Sequence, residues 1–298
     1  MFEWIDPRFD VAGACLTLLV LVTCVAAGAR GATAKARAAR ERLVAAPGGR
    51  IRLYRTGVRT SAMLAVAAFA VVWTDGVDLV DLGLRAPVAG DAVVAGLVSA
   101  VFVSASVGGA VRVARARRDG TGVRGGRSAE ETLARVRFLH PATPAERWLA
   151  GLLAVSVGVA EELVYRGLFI AAGTGLLGLD PWVAALLSLA VFGVDHLYQG
   201  WRGALVATLL GLVFTMLYAS TGSIVAPIAV HALFDVAALV VAPWLAQHVE
   251  RRPSRTPATA PTPEPVAAEP VTAPEPVIAT APPAARGGPV TLRPAAPE

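Results

Sequence analysis

Residues 147–172 read R-W-L-A-G-L-L-A-V-S-V-G-V-A-E-E-L-V-Y-R-G-L-F-I-A-A, an apolar run that carries Glu161, Glu162 and Arg166 near its middle. The run is long enough for a bilayer core, which takes about 20 apolar residues in one helix. Each central ionisable side chain costs about 2.5–3.5 kcal/mol on insertion, and each Leu, Ile, Val or Phe returns about 0.3–0.6 kcal/mol. The three charges therefore cost about 8–10 kcal/mol, against about 3–7 kcal/mol returned by the eleven such apolar residues from Leu149 to Ile170. A helix this marginal alone must turn its charges toward other helices or a wet cavity. Glu162 and Arg166, four residues apart, share a face and can pair. Glu161, about 100° around the helix, is left without a local cation.

The rest of the chain has the same character. Hydrophobic residues make up 55% and charged residues 16%, with a mean hydropathy of +0.59. That composition disfavours a soluble globule. Six further apolar runs approach membrane-spanning length, at 11–29, 60–79, 90–111, 181–199, 202–220 and 223–246. Residues 1–10 carry Glu3, Asp6 and Asp10 against Arg8, so the first run lacks the basic flank of a cleaved secretory signal and is expected to stay as a helix. The pI of about 9.8 would suit a nucleic-acid binder, but the basic residues cluster in loops. Nine lie between Arg30 and Arg59 and eight between Arg112 and Arg137, while the intervening loop holds Asp75, Asp78, Asp81 and Asp91. The positive-inside rule makes the two basic loops cytoplasmic, which predicts seven spans with the N-terminus outside, and no nucleic-acid partner. Cys15 and Cys24 both sit in the first run without metal-site spacing. From about residue 251 the chain turns to Pro, Ala, Thr and Glu, with 13 of its 21 prolines, and reads as a disordered tail.

Two later runs add polar groups to the pair of glutamates. V-F-G-V-D-H-L-Y-Q-G places Phe192 one turn before His196, with Asp195 adjacent. I-A-V-H-A-L-F-D places His231 and Asp235 four apart on one face. Any one of these could merely hydrogen-bond between helices. Two Glu, one Arg, two His and two Asp confined to three runs point to a functional site, the default for intramembrane ionisable residues. Peptide hydrolysis needs a base for water and donors for the oxyanion, and a glutamate with two histidines can supply both, with or without a metal. Neither H-E-x-x-H nor G-x-S-x-G is present, which disfavours a zincin-like site and gives no support to a serine nucleophile.

The ordered motifs E-E-x-x-x-R (Glu161, Glu162, Arg166), F-x-x-x-H (Phe192, His196) and H-x-x-x-D (His231, Asp235) resemble those of the CPBP family of intramembrane peptidases, which includes type II CAAX prenyl proteases and bacteriocin-processing enzymes. T-G-S-I-V-A-P-I-A-V-H before the third motif and D-L-G-L-R at 81–85 are similar to family elements as well. The resemblance implies that Glu161 activates the hydrolytic water, that His196 positions it, and that His231 and residue 235 stabilise the oxyanion. Glu162 and Arg166 would act in support. Asp235 stands where the family often has Asn; an ionised Asp would repel an oxyanion, so it must be protonated or orient His231. The resemblance leaves open a metal-free mechanism or a divalent metal such as Zn, which Glu161, His196 and His231 would hold.

The expected protein is thus an all-α polytopic bundle of about seven spans. It has an N-terminal three-helix membrane region (1–146), a CPBP-like peptidase core (147–248) and a Pro/Ala-rich cytoplasmic tail (249–298). It would sit in the cytoplasmic membrane and cleave a membrane-associated or prenylated, CAAX-like protein or peptide. The alternatives are a non-catalytic scaffold, immunity or export partner that keeps the fold, against which the intact Glu161, His196 and His231 argue, and a small transporter using the same charges as an ion path. Counted from the run ends, Glu161 lies near mid-membrane, His196 nearer the cytoplasmic side and His231 nearer the outer side. Tilted or shifted helices are needed to bring them together.

Overall fold

A computed structural model describes residues 2, 4–121 and 136–252. The tail expected from residue 249 falls almost wholly outside the described residues, as does most of the loop between the third and fourth spans. Among the described residues there is no strand. The helices are α1 (Val11–Gly31), α2 (Ala34–Ala45), α3 (Gly49–Ala70), α4 (Ala89–Arg118), α5 (Pro144–Glu161), α6 (Phe169–Leu177), α7 (Pro181–Asp195), α8 (Trp201–Thr221), α9 (Val225–Val236) and α10 (Ala242–Glu250). A π-helical segment, π1 (Glu162–Leu168), joins α5 to α6 without a break, and a second, π2 (Ala237–Val241), joins α9 to α10. Among the described residues, seven helical stretches are long and apolar enough to cross a membrane: 11–31, 49–73, 89–118, 144–177, 181–199, 201–221 and 225–250. Large apolar side chains such as Leu18, Leu19, Val66, Leu97, Leu186 and Leu209 are exposed along them. That outer surface suits lipid and would be a liability in water. The chain is a multi-pass membrane protein.

Local sequence sets the helix ends. Thr143-Pro144-Ala145-Glu146 is a capping box: Glu146 N–H donates to Thr143 Oγ1 at 3.2 Å, and Glu146 Oε2 accepts from Thr143 N–H at 3.3 Å. Pro144 at the first helical position loses no hydrogen bond there. Asp180-Pro181 starts α7 the same way, with Asp180 Oδ1 accepting from Trp182 N–H at 2.9 Å. Gly222 ends α8 in the left-handed region, φ +65°. The second span begins at Gly49 rather than near residue 60. The cluster Arg50, Arg52, Arg55 and Arg59 ends the apolar stretch without ending the helix, and Tyr54 on its inner face is fully buried, donating to Leu139 O at 3.0 Å.

The bundle packs α3 and α9 against α5, α4 against α9 and α10, and α7 between α1, α6 and α8. One end is closed by residues 4–10 and 74–88. Arg8 N–H donates to Gly76 O at 2.7 Å and Asp6 N–H to Asp81 Oδ1 at 3.2 Å. Leu82 is fully buried, and its carbonyl lies against Gly167 of π1. Gly83, φ +71°, lies so close to Tyr218 and Ile224 that a Cβ would collide with both. Its carbonyl accepts from Ile224 N–H at 2.9 Å, while Ser223 Oγ donates to Arg85 O at 2.7 Å. The turn before α9 is therefore recessed beneath a cap, with Ser223 and Ile224 fully buried. His231, seven residues into its span, meets Glu161 from the middle of the fourth span at 3.8 Å, so the helices are shifted as the end-counting required.

Candidate active site

The fourth, fifth and seventh spans supply the charged groups of the site. Glu161 ends α5, Glu162 and Arg166 lie in π1, Phe192 and Asp195 close α7 with His196 just beyond, and His231 and Asp235 lie on α9. Glu162 is the junction. Its Oε1 accepts from Arg166 Nη1 at 3.0 Å and from His231 Nδ1 at 2.8 Å. Arg166, 1% exposed, also donates through Nη2 to Gly211 O at 2.9 Å, and its guanidinium lies 4.6 Å from the Phe192 ring and 5.6 Å from that of Phe214. A carboxylate can only accept, so Nδ1 of His231 carries the proton of that bond, and Nε2 is the nitrogen left facing the site. Nε2 lies 3.8 Å from Glu161 Oε2 and 3.7 Å from Asp235 Oδ2. The residue that orients His231 through Nδ1 is thus Glu162, while Asp235 faces the opposite nitrogen.

Exposure is graded across the cluster. The Glu162 and Arg166 side chains are 0% and 2% exposed, whereas those of Glu161 and Asp235 are 26% and 21%. Glu161 Oε2 has no hydrogen-bond partner among the described residues. The cluster therefore has a sealed rear, where charge is neutralised, and a front where two partly exposed carboxyl side chains, Glu161 and Asp235, flank an imidazole nitrogen.

Phe192 organises the rest. Its ring, 2% exposed, lies 4.4 Å from that of His196 and 6.5 Å from that of His231. His196 Nδ1 contacts Phe192 O at 2.8 Å, which leaves its Nε2 without a backbone partner. The Phe214 ring stacks on His231 at 4.8 Å. Phe214, Gly211 and Tyr165 were not singled out by motif. Gly211 is required because a Cβ there would lie 2.9 Å from Arg166 Nη2 and 3.0 Å from Phe192 and Leu189. A glycine facing a run that carries a buried arginine was the available signal. The segments that carry Glu161 and Asp235 pass directly into π-helix, at Glu162 and at Ala237, a feature frequent at functional sites.

No group of three or more His, Cys, Asp or Glu among the described residues is arranged to hold a metal ion. Glu161, His196 and His231 thus do not form a ready ligand cage.

No curated protein and no solved structure matches the chain. A family model does match, described as type II CAAX prenyl endopeptidase Rce1-like, over residues 143–237. That stretch opens at the capping box before α5 and closes just after Asp235, so it spans every charged side chain of the cluster. The fourth to seventh spans of this membrane protein thus hold an Rce1-like domain, the domain of a CAAX-type protease family.

Proposed function

We propose that the chain is an intramembrane endopeptidase that hydrolyses a peptide bond in a membrane-associated, prenylated or CAAX-like protein or peptide, with Glu161 activating the water. The observation that carries this reading is the pair of glutamates adjacent in sequence and opposite in environment. Glu162 accepts from Arg166 and His231 and its side chain is 0% exposed, whereas Glu161 makes no hydrogen bond among the described residues and its side chain is 26% exposed. A carboxylate already neutralised by a guanidinium is a poor base, whereas an unpartnered one is free to take a proton from water.

In the proposed reaction Glu161 accepts a proton as the water oxygen attacks the scissile carbonyl, and His196, held through Nδ1, steers that water through Nε2. The tetrahedral oxyanion then accepts from the Nε2–H of a doubly protonated His231, whose Nδ1–H donates to Glu162. Asp235 lies 3.7 Å from the same Nε2 and is protonated in this reading, so that it does not repel the oxyanion. Glu161 returns its proton to the leaving amine, so the acid–base balance closes within one residue. Glu162 and Arg166 hold the rear of the site. The N-terminal region 1–146 frames the core, and the protein resides in the cytoplasmic membrane with its N-terminus outside.

The test is purified protein in nanodiscs with an S-farnesylated CAAX peptide. Glu161→Gln should lose at least about 1,000-fold in rate while folding normally, since the amide fills the same space without the basicity. A chelator arm separates mechanisms: activity lost and restored by Zn²⁺ means that a metal assembles on Glu161, His196 and His231 in the working enzyme, and unchanged activity means a Glu-activated water. Full activity of Glu161→Gln would refute the assignment.

A further inference from the structure

Tyr165 ties π1 to α7 in three places. Its hydroxyl donates to Asp195 Oδ2, its carbonyl accepts from Ser188 Oγ at 2.6 Å, and its ring meets the edge of Phe192 at 5.2 Å. Ser188, Phe192 and Asp195 are spaced by four and three, so they form one face of α7. That face runs straight into His196, whose Nδ1 is held by Phe192 O. Tyr165 itself is 5% exposed and lies four residues beyond Glu161 on the same continuous helix. One side chain therefore connects the element that carries the glutamates to the last turn before His196.

Asp195 has a second feature. Its Oδ1 is buried and has no hydrogen-bond partner among the described residues. It backs onto α1, where a Cβ on Gly28 would collide with it. A buried carboxylate oxygen without a donor costs stability, and an apolar residue of similar size would avoid that cost. Packing alone does not account for an aspartate here.

We propose that Tyr165 and Asp195 are a positioning pair that sets the His196 ring relative to Glu161, closed from behind by α1 through Gly28. Neither touches the reacting atoms; both act through His196. The kinetic part of this inference rests on the peptidase reading, and the geometric part stands without it.

The experiment uses the full chain in nanodiscs as wild type, Tyr165→Phe, Asp195→Ala, Asp195→Asn and the double variant Tyr165→Phe/Asp195→Ala. Asparagine keeps an acceptor for the tyrosine hydroxyl. With the farnesylated CAAX peptide, Tyr165→Phe and Asp195→Ala should each lower kcat about 10- to 100-fold with KM unchanged, and the double variant should fall no further than the worse single one. Asp195→Asn should stay within about threefold of wild type. The chain has only four histidines, His140, His196, His231 and His248, so the ring nitrogen resonances can be assigned by substitution. The His196 resonance should move in Tyr165→Phe and Asp195→Ala, return in Asp195→Asn, and leave His248 unmoved. Multiplicative losses in the double variant, or a His196 resonance indifferent to Tyr165→Phe, would overturn the proposal. If Asp195→Ala does not fold, the contrast between Tyr165→Phe and Asp195→Asn decides it alone. If the wild type cuts no peptide, the substrate reading fails and the resonances still decide the pairing.

Discussion

At the scale of single residues the two glutamates divide the work of holding charge in a membrane and using it. Removing one partner of a buried pair leaves an uncompensated charge, a loss of about 3–5 kcal/mol. Glu162→Gln should therefore destabilise the protein by about that amount, because Arg166 keeps only Gly211 O and two aromatic faces. Glu161→Gln, by contrast, loses no hydrogen bond and only the 3.8 Å contact with His231, and should cost less than about 1 kcal/mol. Thermal unfolding of the two variants in the same detergent checks the contrast. Equal destabilisation would mean that Glu161 is also held by the fold.

At the scale of elements, hydropathy and motif spacing predict the helices and not how they meet. The seven spans are legible because apolar length is a property of the sequence itself. The start of α3 is not, since Arg50, Arg52, Arg55 and Arg59 look like a loop by composition, yet Arg52, Arg55 and Arg59 lie on the exposed side of a helix whose inner face buries Tyr54. The i, i+4 spacing of Glu162 and Arg166 gives their pairing, but the union of His231 with Glu162 crosses 69 residues of chain and depends on the recession of α9. Nothing local encodes that recession; it follows from the cap, in which D-L-G-L-R at 81–85 seats Leu82 on Gly167 and Gly83 on Ile224. Phe214 and Gly211 escape motif reading because an apolar residue in an apolar run carries no contrast. Leu82→Ala should accordingly cost about 2–5 kcal/mol through the cavity it leaves, measured by thermal unfolding. Because the cap holds the turn before α9, the same variant should also broaden the His231 resonance. A loss of stability with His231 unperturbed would show that the cap does not set the depth of α9.

At the scale of the whole molecule, charge asymmetry sets orientation and composition sets the tail. Reporter fusions at about residues 45, 83 and 125 should read cytoplasmic, external and cytoplasmic, because the first and third of these sites lie among basic residues and the second among acidic ones. A cytoplasmic reading at residue 83 would reverse the topology. Truncation after residue 251 should leave folding and activity intact, since the proline-dense segment beyond it lacks the apolar periodicity of a docking element. Loss of membrane accumulation on truncation would mean that the tail docks.

The central claim is that Glu161 makes this bundle a peptidase, and comparison of membrane proteomes from cells carrying the wild-type chain or Glu161→Gln tests it most directly. Mass spectrometry of protein C-termini should find shortened ends in the wild type, with the intact membrane-associated precursors accumulating in the variant at equal expression. Identical C-termini in the two proteomes, with both proteins present and folded, would contradict the account.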